Sequence, residues 1–202
     1  MPVILTIGLP KTGTSSLAKA LEILGYRAST DPHNAERLRL WCDGDFSRLG
    51  EIDVQGEPAY AFWRQLAEAY PLAQVIVTER PIRSWIRSCA ELASMARCGR
   101  RRAERFWLED RALISGQRLT GGLDLLMGLV GGGLDLDGDR LRTTYTEHVQ
   151  DIARYFRGSD RLLAFSVFRG EGWRELCRFL GRDEPPSHIR FPHLNIGKRH
   201  FP

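Results

Sequence analysis

The run Pro10-Lys11-Thr12-Gly13-Thr14-Ser15-Ser16 follows the apolar stretch Val3-Ile4-Leu5 and precedes a helical pattern. Strand, Gly/Lys/Thr/Ser loop, then helix is an order that makes an oxyanion site. The first N–H groups of a helix have no partner within it, and the helix dipole adds positive potential at that end. Lys11 supplies a point charge, and Thr12, Thr14, Ser15 and Ser16 supply hydroxyl donors. A phosphate- or sulfate-bearing ligand is therefore expected at the first strand–helix turn.

The order of residues in this loop matters. A triphosphate-binding loop reads G-x-x-x-x-G-K-[ST], with the Lys after the second Gly and the next hydroxyl on Mg²⁺. Here Lys11 precedes Gly13, and no Gly-Lys-Ser/Thr follows. A second group of anion-binding residues comes after the run Gln74-Val-Ile-Val-Thr78, in Thr78-Glu-Arg-Pro-Ile-Arg-Ser-Trp-Ile-Arg-Ser88. Arg80 stands at the end of a β-branched strand, where ligands sit in open α/β sheets. An Arg can fork two phosphate oxygens, and Ser88, eight residues on, can donate one further bond.

Pro-Lys-Thr-Gly-Thr-Ser-Ser resembles the 5′-phosphosulfate loop of the sulfotransferase family, and Arg80 with Ser88 resembles its 3′-phosphate grip. Trp85 is similar to a subgroup whose second motif runs Arg-Asp-Pro-x-x-Trp-x-x-Ser; here Pro81 and Ile82 replace the Asp-Pro. Further similarity lies in Asp53-Val-Gln, Phe62-Trp63, Ala69-Tyr-Pro71, Gly172-Trp173, Phe-Leu-Gly181 and Phe191-Pro-His-Leu-Asn195, and it is weakest over residues 97–138. The resemblance implies a P-loop-like three-layer α/β/α fold with a central parallel sheet. It also implies in-line sulfuryl transfer from 3′-phosphoadenosine 5′-phosphosulfate (PAPS) to a hydroxyl or amine, leaving the bisphosphate PAP and needing no metal. Pro10, Lys11, Thr12, Gly13, Thr14, Ser15, Ser16, Arg80 and Ser88 become the expected nucleotide contacts, with Lys11 facing the leaving phosphate. Glycan, lipid and small-molecule acceptors stay open. The alternatives are a P-loop kinase or hydrolase, or a catalytically silent nucleotide-binding protein.

Acceptor activation calls for a general base. Candidates are Asp53, Asp31, His33 and Glu57. Asp53 comes first, because Ile52–Val54 reads as a strand end on the ligand side; a turn- or helix-capping Asp fits equally. His148 on a helix reads first as a satisfied helical His and second as a pocket residue. Lys198 and Arg199 form a basic C-terminal pair that could reach the nucleotide. Asp135, Asp137 and Asp139 lack the Gly and acidic end of a calcium loop.

Alternating elements must position these groups. Strands are predicted over 3–8, 26–29, 52–54, 74–78 and 162–167, and helices over 15–24, 58–70, 81–96, 140–156 and 173–180. Strands alternating with helices indicate a parallel sheet. Residues 97–138 read as a variable insertion, a lid over the acceptor or a plain connector. The 202 residues suit one domain, 1–202. A net charge of +4 suits an anionic ligand. The basic residues lack the interleaved aromatics of a nucleic-acid surface. Four cysteines without a C-x-x-C pair, no signal-peptide pattern and no long apolar run lead to the expectation of a cytoplasmic protein without a membrane span.

Overall fold

The computed structural model describes residues 3–29, 40–47, 54–55, 59–97 and 137–194. Five parallel strands form its sheet: β1 (Ile4–Thr6), β2 (Ala28–Ser29), β3 (Val54–Gln55), β4 (Gln74–Thr78) and β5 (Leu162–Phe165). Their order is β2-β3-β1-β4-β5. The helices are α1 (Thr14–Ile23), α2 (Trp63–Ala69), α3 (Ile82–Arg97), α4 (Gly138–Tyr155) and α5 (Trp173–Leu180). Short 3₁₀ turns cover Ala59–Ala61 and Val167–Arg169. This is the three-layer, P-loop-like α/β fold expected from the sequence.

The period-2 alternation of the strands assigns each side chain to one layer. Leu5, Ile7, Val75 and Val77 face Trp63, Leu66, Trp85, Leu141, Tyr145 and Ile152 of α2, α3 and α4. Ile4, Val54, Ile76 and Phe165 face Leu17, Ala20 and Leu21 of α1 and Leu176 and Leu180 of α5. Both faces are covered, so the strands read as continuous apolar runs. The chain leaves β1 towards the β2–β3 edge and leaves β4 towards β5. The crevice between the carboxyl ends of β1 and β4 is therefore the switch point at which open α/β sheets bind ligands.

Several boundaries differ from expectation, each for a local reason. The predicted 58–70 helix is a 3₁₀ turn followed by the shorter α2. Phe62 between them leaves helical backbone (φ −118°), with its ring edge-on to Trp41. α4 starts before Arg140 because the Asp137 side chain accepts from Asp139 N and Arg140 N, an N-cap. β5 stops at Phe165, where the next N–H, that of Ser166, donates to the Glu171 carboxylate at 2.6 Å. β3 is described at Val54–Gln55, so the strand runs on past Val54, the end predicted for it. Most of the predicted 97–138 insertion lies outside the described residues. Among those described, no helix is long and apolar enough to cross a membrane.

The chain passes closest to itself where β1 meets β4. A Cβ on Gly8 would stand 1.8 Å from Thr78 Oγ1 and 2.7 Å from Thr78 N. Gly8→Ala is expected to lower unfolding free energy by several kcal/mol, beyond the usual overpacking cost of about 1–3 kcal/mol. Thr78→Ala in the same chain should recover only part, because the clash with the Thr78 backbone remains. Urea denaturation of the three variants measures this; a Gly8→Ala protein of wild-type stability would contradict it.

Candidate functional site

The loop from Gly8 to Gly13 begins where β1 ends. Ile7 N donates to Ile76 O at 2.9 Å, which carries the ladder one residue past the strand. Two residues then take positive φ, Lys11 at 71° and Gly13 at 106°. For Lys11 this left-handed conformation is uncommon and costs on the order of 1 kcal/mol. Reversals of this kind turn successive N–H groups towards one side, making a concavity for an anion. The N–H groups of Gly13, Thr14 and Ser15 come before the first intrahelical bonds of α1, which Ser16 N and Leu17 N make to Gly13 O. They therefore open the helix at the mouth of the loop.

Not every expected donor points there. The buried Thr12 hydroxyl donates to the Leu9 carbonyl and stands 2.6 Å from Thr78 Oγ1. Thr12 N also donates to Leu9 O, at 3.3 Å. Thr12 therefore shapes the loop from inside. Ser16 is buried too, and its Oγ accepts from Leu194 N at 2.9 Å, which fastens the C-terminal stretch to α1. Ser15 is exposed, and Thr14 and Lys11 are half-buried. The Pro10 carbonyl accepts from the indole of the fully buried Trp85, at 2.9 Å.

Arg80 joins the two predicted motifs. Its Nη1 donates to the Lys11 carbonyl at 3.0 Å and its Nε to Ser84 Oγ at 2.9 Å. The guanidinium carbon lies 4.5 Å from the centroid of the Phe168 ring, a cation–π distance. Two of its five N–H donors are thus committed, which leaves both hydrogens of Nη2 and one of Nη1 for an oxyanion. Burial lowers the Arg80 pKa from its ordinary value, with nearby Glu91 opposing that. The guanidinium keeps its charge at neutral pH. Ser88 lies two helical turns past Arg80 on α3 and is buried. Ser84, between them at the i+4 position, went unremarked in the sequence, although that spacing was readable. Burial pushes the Cys89 thiol up to about 12, against the opposing charges of Lys11 and Arg80.

Two residues of α4 hold these loops from behind. The Tyr145 hydroxyl accepts from Arg80 N at 2.9 Å and donates to Arg80 O at 2.8 Å. Its ring packs on Trp85 with centroids 5.0 Å apart. His148, one turn later, stands with Nε2 2.9 Å from the Ile7 carbonyl. A carbonyl only accepts, so Nε2 carries the proton. His148 is thus the satisfied helical His that the sequence suggested first. On the far side, Ser166 Oγ donates to Glu79 O at 2.8 Å, and Arg169 pairs with Glu79 at 2.7 Å. Tyr145, Phe168 and Ser166 had no sequence signal, since each acts across a long chain separation.

Among the candidate bases, Asp31, His33, Asp53 and Glu57 lie outside the described residues, as do Lys198 and Arg199. Among the described residues, no group of three or more His, Cys, Asp or Glu could hold a metal ion.

A parallel sheet ordered in this way, with an N–H-lined loop and an Arg fork at its switch point, defines a P-loop-like anion- or nucleotide-binding protein. The chain belongs to the sulfotransferase-domain family, whose profile matches residues 3–200. It is similar to the Ava biosynthesis cluster protein M of Aspergillus versicolor. The two are 29% identical over 225 residues, covering 95% of this chain and 80% of that protein. Membership supports sulfuryl transfer as the general activity.

Burial lowers the His148 pKa from 6.5 to about 4. Between those values the unfolded chain binds a proton that the folded chain refuses. The stability held by neutral His148 is therefore complete above about pH 6.5 and is lost as pH falls towards about 4. The expected loss is on the order of 3 kcal/mol. In His148→Gln, whose amide can still donate to Ile7 O, that part of the slope should vanish. Urea titrations of both proteins from pH 4 to 8 measure it; parallel curves would refute it.

Proposed function

We propose that the chain transfers a sulfuryl group from PAPS to a hydroxyl or amine. The observation that carries this reading is the bond from Arg80 to the Lys11 carbonyl, which puts two anion grips side by side. PAPS carries a 5′-phosphosulfate and a 3′-phosphate, so it needs two such grips in one protein. A triphosphate would need the Gly-Lys-Ser/Thr arrangement that this loop lacks.

In the proposed arrangement the N–H groups of Gly13, Thr14 and Ser15, with the Thr14 and Ser15 hydroxyls, take the 5′-phosphosulfate. Pro10, Thr12 and Ser16 complete the loop, mainly by fixing its course. The Nη2 edge of Arg80 and the hydroxyl of Ser88 take the 3′-phosphate. When bound, PAPS supplies an activated sulfuryl group on a phosphate leaving group. The acceptor oxygen or nitrogen forms the new bond to sulfur while the bond to the bridging oxygen breaks, its electron pair staying on the 5′-phosphate. Lys11 meets that growing charge, a preorganised electrostatic contribution. The acceptor proton goes to a carboxylate. Asp53 takes that role first among the candidates, ahead of Asp31, His33 and Glu57. The similarity to a protein named for a biosynthesis cluster favours a small-molecule acceptor over glycan or lipid.

Thermal unfolding with PAP, PAPS, ATP or GTP, with and without Mg²⁺, tests the donor. A ligand bound only by the folded state raises stability by mass action. The bisphosphates should stabilise without metal; preference for Mg·ATP would replace this reading with a kinase or hydrolase. Lys11→Ala should lower kcat by about 10²–10³ and leave PAP binding largely intact. Asp53→Asn should remove the acid limb of the rate profile, and an unchanged activity and profile in that variant assigns the role to another of the candidates.

A further inference from the structure

We infer that Tyr145 and His148 are positioning residues that set the distance between the two anion grips. The inference rests on the functional reading above only in its choice of ligand. Tyr145 bonds both the N–H and the C=O of Arg80, a pairing usually made by another backbone. It thereby fixes the turn between β4 and α3, from which the Arg80 side chain reaches the Lys11 carbonyl. The resemblance to other sulfotransferases weakens at this turn, since Pro81 and Ile82 replace Asp-Pro. Pro81 has no N–H to give, and its carbonyl serves the first turn of α3 through Ser84 N and Trp85 N. A hydroxyl from α4 meets the Arg80 backbone instead.

His148 does the same for the other grip. Ile7 is the last residue before Gly8, and its carbonyl is met by the His148 Nε2–H. Tyr145 and His148 are three residues apart on α4, so they project from one face of the helix. Trp85 completes the arrangement. It packs on Tyr145 and donates to the Pro10 carbonyl, inside the first loop. One face of α4 thus holds the entry to the first loop and the backbone of Arg80, and backs the Trp85 of α3 that holds the middle of that loop. None of these contacts involves a group placed against the ligand. The expected effect is on the geometry of the site, at a fixed set of ligand contacts.

The test is a double-mutant cycle read by calorimetric titration of PAP in EDTA. Tyr145→Phe keeps the ring on Trp85 and removes only the hydroxyl. It should weaken PAP binding roughly ten-fold in the wild-type background and have little effect in an Arg80→Ala background, because it acts through Arg80. A residue needed only for folding would lower the melting temperature, leave the PAP affinity of the folded protein unchanged and show no coupling to Arg80. Either result overturns the inference. The second pair is His148→Leu and His148→Gln. Leu should weaken PAP binding and Gln should restore it; equal affinities in the two would also overturn the inference. If Tyr145→Phe does not fold, this pair decides alone. If the wild-type chain binds Mg·ATP instead of PAP, the functional reading fails, and the same cycles read with Mg·ATP still decide whether Tyr145 acts through Arg80.

Discussion

The near-contact of Gly8 with Thr78 is the constraint on which the rest of the site depends. No side chain fits between them, so the carboxyl ends of β1 and β4 can come together as backbone against backbone. The Thr12 hydroxyl then reaches Thr78 and folds the loop back over its own start. Arg80, two residues beyond Thr78, is brought within reach of the Lys11 carbonyl. If the two strand ends stood further apart, the loop and the Arg would be separate weak anion sites. Held together, the loop and the Arg80 guanidinium stand next to one another at the switch point of the sheet.

Charge in this region is balanced by geometry more than by ion pairing. Arg80 meets a carbonyl, a hydroxyl and a ring face, none of which carries a formal charge. The carboxylate closest in sequence, Glu79, is engaged by Arg169 on the other side of the strand end. An Arg held by neutral groups keeps its field for an incoming anion, whereas one already paired with a carboxylate would have to give that partner up. The same logic explains the depth of Cys89. Two cations, Lys11 and Arg80, favour its thiolate, yet it stays protonated because burial outweighs both of them.

Much of the fold was legible in the residues. β4 and α5 match the predicted spans, because Gln74–Thr78 is β-branched and apolar and Gly181 ends a clear helical stripe. The two motifs were also readable, since each is a short local pattern. β3 shows the limit. Val54 and Gln55 carry too little pattern for so short a pairing to be phased, and it runs on past Val54, the predicted end. The contacts of Tyr145 with Arg80 and of His148 with Ile7 were not legible for another reason. They are made across the packing of a helix on a sheet, and helical periodicity shows which face is buried without showing which backbone group that face meets.

The wholly parallel sheet has a consequence for how the protein comes into being. β1 is made first, yet its neighbours are β3 and β4, and β4 in turn waits for β5 near the far end of the chain. Among the described strands none pairs with the next through a hairpin; the consecutive strands that do pair, β2 with β3 and β4 with β5, are parallel. Contacts so distant in sequence make folding slow, because long loops must close before any pairing rewards them. On the ribosome, Ile4, Leu5 and Ile7 therefore emerge as an apolar segment with nothing to pair with until β3 and β4 have followed. The anion loop attached to them gains Thr78, Arg80 and Trp85 only then, and His148 of α4 later still.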